Sequence, residues 1–69
     1  MRVTYDHEAD AAYIYLREIE PGGSQRQCVV DCEVTAEIVL DIDASGRLIG
    51  IEVLGARDGL PRQLLELAE

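Results

Sequence analysis

The sequence predicts an α+β domain that is mostly β: a small antiparallel or mixed sheet of about four to five strands, followed by one short C-terminal helix. Three observations carry this. Apolar and polar residues alternate with a period of two through most of residues 1–54, the pattern of half-buried strands. Clusters of Gly, Pro, Asp and Ser punctuate the alternation. Only past Gly55 does the apolar spacing become helical.

Met1 to Tyr5, MRVTY, is short and alternating and reads as a first strand. DHEAD interrupts it. AAYIYLRE then alternates again, with Ala12, Ile14 and Leu16 on one face and Tyr13, Tyr15 and Arg17 on the other. Ile19 to Gln25 holds Pro21, Gly22 and Gly23 and is a loop on turn chemistry. A third long strand is expected over Arg26 to Val34, with Cys28, Val30, Cys32 and Val34 facing one way. After Thr35 to Glu37, the run IVLDID places Ile38, Leu40 and Ile42 opposite Val39, Asp41 and Asp43. A four-residue loop over Asp43 to Gly46, with Gly46 left-handed, would oppose Leu40 to Ile49 and Ile38 to Ile51. A three-residue loop would set Leu40 against Gly50 and Ile38 against Glu52, mixing characters on one face, so the longer turn is preferred. Gly50, in mid-strand, marks a close approach, with Tyr13 or Tyr15 as the covering ring. Pro61 suits a first helical turn, and Leu60, Leu64 and Leu67 follow at helical spacing, giving an amphipathic helix over about residues 61–68. A helix of about two turns does not hold its shape alone, so it must dock.

Sixty-nine residues make one domain, 1–69, near the size at which apolar burial roughly balances conformational entropy. Cys28 and Cys32, in one strand, would lie about 13 Å apart, too far to bridge each other. They read as small buried apolar residues, with an intermolecular disulfide as the alternative. No second Cys or Cys/His pair gives a zinc spacing, and no cofactor motif is present. Fourteen acidic residues against six Arg and no Lys give a formal charge of −8, which disfavours nucleic acid. The N-terminal residues lack a signal-peptide apolar run and no stretch approaches a membrane span, so a bacterial-type cytoplasmic protein is expected.

YDHEADAAYIYL near the start and IVLDIDASGRLIGIEVLGA later resemble the pattern of the domain-of-unknown-function family 2283, over Val3 to Ala56. The resemblance implies a small, mostly antiparallel sheet with little helix. It also implies an antitoxin or immunity role beside a small toxin-like partner, by analogy alone. Two positions depart from the family's pattern. His7 stands where Pro is common, and Glu37 falls in a connection where Gly is expected.

Asp6, His7, Glu8 and Asp10 concentrate metal-capable and proton-transfer side chains in five positions. The Asp-x-Glu-x-Asp spacing starts like a calcium loop, but Ala11 replaces the required Gly and Arg17 the bidentate Glu. The structural alternative is that Asp6 caps one helical turn, His7 to Asp10, joining two strands. Asp41 and Asp43, with Glu52, could form a second acidic group on the polar face of the hairpin, sharing a divalent cation with the first if the strands converge. No catalytic residue is assigned.

Tyr13, Tyr15, Val29, Val39 and Leu48 make the sheet's second face partly apolar, although a two-layer domain needs only one such face. That surplus predicts a homodimer or another covering partner, with Tyr13, Tyr15, Val29, Val39, Leu64 and Leu67 as interface residues. The leading expectation is a non-enzymatic acidic interaction domain that self-associates and binds a basic protein partner. The alternative is a small-ligand or divalent-metal module, or a minor enzyme, using the N-terminal carboxylate and His cluster.

Overall fold

The alternating segments form β1 (Arg2–Asp6), β2 (Ala11–Tyr15), β3 (Arg26–Val30), β4 (Glu37–Ile42) and β5 (Leu48–Leu54) in a computed structural model that describes residues 1–69. They make one sheet in the order β1-β2-β5-β4-β3, with every neighbouring pair antiparallel. Two helices follow, α1 (Ala56–Gly59) and α2 (Arg62–Leu67). The expected single helix therefore begins one residue past Pro61, and a separate turn of helix precedes it.

The hairpin register differs from the expected one, for an identifiable reason. Gly46 is left-handed as predicted, with φ 83°. The N–H of Gly46 donates to Asp43 O at 3.0 Å and that of Asp43 donates to Arg47 O at 2.9 Å, which closes the shorter loop, Ala44 to Gly46. Alone, this loop would set apolar against polar partners. A β-bulge corrects it: Ile42 pairs with Leu48 but Asp41 pairs with Gly50, so Ile49 is an extra residue on β5. Leu40 then opposes Ile51 and Ile38 opposes Val53, which restores a matched apolar face.

Residues paired across the sheet share a face, and two apolar rows cross all five strands. The first runs Tyr5, Ala12, Val53, Ile38 and Val30. Ala56, Leu60 and Leu65 pack over it, leaving Ala12 and Val53 each 1% exposed. The second row lies two residues further along each strand: Val3, Ile14, Ile51, Leu40 and Cys28. None of its members is buried. The geometry explains this. Six residues of α2 span only about 9 Å, whereas five strands span about 19 Å across.

β3 ends at Val30, four residues short of expectation. Residues 31–36 instead bend toward α1, where Ala36 and the carbonyl of Thr35 lie against Gly59. Cys32 thus falls outside the strand, and both cysteines are free and exposed, correcting the expected burial. At the opposite edge, the N–H of Glu69 donates to Val3 O at 2.9 Å and that of Tyr5 donates to Glu69 O at 3.2 Å. The outer side of β1 is therefore partly engaged by the chain's own backbone.

Candidate functional site

The DHEAD segment is a hydrogen-bonded turn between β1 and β2. Asp6 Oδ1 accepts the N–H groups of Glu8, at 3.0 Å, and Ala9, at 3.3 Å, the capping role expected of it. His7 and Glu8 are exposed, and the His7 ring meets Tyr5 edge-on with centroids 4.6 Å apart. Asp10 has the unusual backbone, with φ 52°, a conformation that Asp tolerates better than most residues. Its reach explains the strain. Its carbonyl accepts the N–H groups of Gly55 and Ala56 at 2.9 and 3.0 Å, and its Oδ1 accepts Tyr5 Oη–H at 2.7 Å and Arg57 N–H at 2.9 Å. Asp10 therefore ties the first hairpin to the start of α1, across 47 positions of sequence. The Tyr5 hydroxyl, then the Arg57 N–H, hold its carboxyl below the ordinary value, and Asp10 in return pushes the Tyr5 phenol up. An open groove of about 410 Å³ lies beside this turn, with His7, Arg57 and Arg62 at its rim and Tyr5 and Leu65 among its apolar lining.

Asp41 occupies the other face of the sheet. It is 5% exposed, and three elements converge on it. Ser24 Oγ and Gln27 Nε2 donate to Oδ1 at 2.7 and 3.0 Å, and the Tyr13 hydroxyl donates to Oδ2. Burial opposes ionisation, but the three donors outweigh it and hold the Asp41 carboxyl below its usual range. The Tyr13 phenol is pushed up by burial and by Asp41. The set is an ionised carboxylate that accepts from three side-chain donors on separate segments, in other words a brace. Tyr13 also lies across Gly50, where an added Cβ would sit 2.6 Å from Tyr13 Cζ. The predicted cover of Gly50 is thus Tyr13. Its ring packs on Tyr15 with centroids 4.6 Å apart, and the Arg2 guanidinium lies 4.0 Å above Tyr15.

Asp43 serves the hairpin turn: its Oδ1 accepts the N–H groups of Arg47 and Ser45 at 2.9 Å each, and its Oδ2 meets Arg17 at 3.2 Å. The Arg47 N–H is foremost in holding this carboxyl low. The two acidic groups are not brought together. The DHEAD turn adjoins Gly55 at one end of β5 and Asp43 lies beyond the other, so the seven residues of β5, about 23 Å at 3.3 Å each, separate them. No three His, Cys, Asp or Glu side chains are grouped to hold a metal ion.

The interface candidates divide. Val29 is 65% and Leu67 80% exposed, whereas Val39 is 8% exposed and Tyr13 is engaged with Asp41. Tyr15 is half-buried beneath Arg2, and Leu64 is half-buried on α2. On the tyrosine face Val29 is the exposed apolar residue, while on the helix-bearing face the row Val3, Ile14, Ile51 and Leu40 is half-buried and ends at the exposed Cys28. Ser24, Gln27 and Arg57 escaped notice because their partners are distant in sequence.

No curated protein and no solved structure matches this chain. No helix is long and apolar enough to cross a membrane. A family model does match, over residues 2–57, from β1 into α1 and including both the DHEAD turn and the Asp41 hairpin. By that match, the chain belongs to the family described as Protein of unknown function (DUF2283).

Proposed function

We propose that this protein is a non-enzymatic acidic interaction domain that self-associates and binds a basic protein partner, neutralising it in the manner of an antitoxin. The observation that supports the reading is the apolar surface left open on so small a domain: Val29, Val34, Leu48 and Leu67 are exposed, and the row Val3, Ile14, Ile51, Leu40 and Cys28 has no fully buried member. Water contact with such a surface is unfavourable by about 25 cal/mol per Å² of apolar area, and a small domain with five buried hydrophobic residues gains much by covering it. The formal charge of −8 favours a cationic partner over an anionic one. The use of Asp10 and Asp41 as internal acceptors supports scaffold roles for those acids.

Sedimentation velocity across the micromolar range tests the reading. A mass of two chains is expected, and a mass of one chain throughout would overturn self-association. Co-expression with a basic protein encoded beside it tests the second half, with co-purification that weakens at high salt as the expected result. A second reading, a small-ligand module, is favoured by the groove that His7, Arg57 and Arg62 help to line. A Tm raised by small anions or divalent cations would support it over the interaction domain.

A further inference from the structure

Resting on the small-ligand reading of the groove, we infer that the groove between the DHEAD turn and α2 binds a small carboxylic acid with an apolar body, its carboxylate held by Arg57 and Arg62 and its body laid on Tyr5 and Leu65. The charge of the lining is the reverse of the charge of the molecule. The whole chain has fourteen acidic residues against six Arg and one His. Around the groove, Glu66 is the one acidic side chain against Arg57, Arg62 and His7. Three of the chain's seven basic side chains therefore meet at one place, and give an anion a local attraction opposite in sign to the net charge.

These cations are available. Arg57 is exposed and belongs to no ion pair. Arg62 has only a solvent-exposed contact, its Nε 3.8 Å from Glu66 Oε2, a loose pair that the two-oxygen grip of a carboxylate on a guanidinium displaces. Asp10 does not compete: it is outside the lining, and its Oδ1 already accepts Tyr5 Oη–H and Arg57 N–H. The same bond anchors the backbone of Arg57, and the His7 ring is packed edge-on against Tyr5, so part of the site is ordered before a ligand arrives.

The rest of the lining selects the class of anion. Tyr5 and Leu65 offer apolar surface that a bare inorganic ion leaves unused. Glu66 repels a second negative charge, which disfavours a phosphate dianion. A monoanion with an apolar body satisfies both. At about 410 Å³ the groove lies near the lower end of small-molecule sites, and it is open to solvent, so a one-ring acid is held with a dissociation constant on the order of a millimolar.

An NMR titration of the intact chain with sodium phenylacetate, at constant ionic strength and up to about 50 mM, tests the site. Saturable shifts are expected at His7, Arg57, Arg62 and Leu65, with sodium acetate, sodium phosphate and the neutral phenylacetamide each binding at least about fivefold more weakly. Arg57→Gln and Arg62→Gln remove exposed charges and leave the main-chain bond to Asp10 in place, so each keeps the Tm while its dissociation constant for phenylacetate rises at least about fivefold. Phosphate or acetate binding as tightly as phenylacetate, or variants that bind it unchanged, overturn the inference. Saturable shifts at the groove with phenylacetamide or calcium chloride but not with phenylacetate overturn it and leave the small-ligand reading standing. No saturable shift at the groove with any of these probes overturns both.

Discussion

Replacing Asp41 with alanine removes the acceptor on which β2, the 16–25 connection and β3 converge. Hydrogen bonds to a charged group contribute about 1.5–3 kcal/mol each, the more so where water cannot replace the lost partner. Gln27 is exposed and Ser24 half-buried, so solvent recovers most of those two bonds. Tyr13, pinned across Gly50, loses its partner most completely. About 2 kcal/mol for Tyr13 and about 0.5 for each of the others gives a loss of about 3 kcal/mol. A domain of this length has about 3.5–10 kcal/mol in all. Thermal unfolding followed by circular dichroism should show Tm lowered by roughly 12–24 °C. Asp41→Asn keeps an acceptor oxygen and should cost about 1–1.5 kcal/mol.

The acid limb gives an independent reading. The Asp41 carboxyl is held below its usual 3.8, so its stabilisation is fully present above that value and is lost as pH falls through the lower folded-state value. Asp41→Asn should flatten the stability profile below about pH 4. An Asp41→Ala variant within about 0.5 kcal/mol of the natural chain, or an Asn variant with an unchanged acid limb, would refute the brace.

Other predictions follow from the same geometry. Asp10→Ala frees the Gly55 to Arg57 segment from the first hairpin, so Tm falls and amide exchange quickens at Arg57 first. Gly50→Ala drives a Cβ into the Tyr13 ring and should cost about 1–3 kcal/mol by overpacking; because Tyr13→Ala removes the obstacle, the cost of Gly50→Ala should shrink in that background, as a double-mutant cycle would show. Both cysteines are exposed, so Ellman's reagent should titrate two thiols in the native protein without denaturant.

The strand pattern was readable because side-chain period alone assigns faces: Ala12 with Ile14, and Ile38 with Leu40, were each placed on one face of their strand before any pairing was known. Local turn chemistry was equally readable at Asp6 and at Gly46. The hairpin register was not, since a bulge adds a residue without leaving a compositional mark beyond Gly50. Nor were the acceptor roles of Asp10 and Asp41. Their donors come from 47 and 28 positions away, and the charge of a carboxylate does not reveal whether it faces solvent or a ring of N–H and O–H groups. The cysteines misled for a related reason: burial was inferred from residue type, whereas Cys28 lies on the edge strand β3 and the chain leaves that strand before Cys32.

The backbone of Glu69 along β1 has a consequence for how sheets of this protein can join. A sheet with two open edges can add copies at both sides without end, which is the geometry of fibre growth. Here Glu69 takes two main-chain groups on the outer side of β1, Val3 O and Tyr5 N–H, so that edge offers an incoming strand fewer partners than β3 does. Loss of the two Glu69 bonds would free those groups and leave both edges of the sheet open to strand addition.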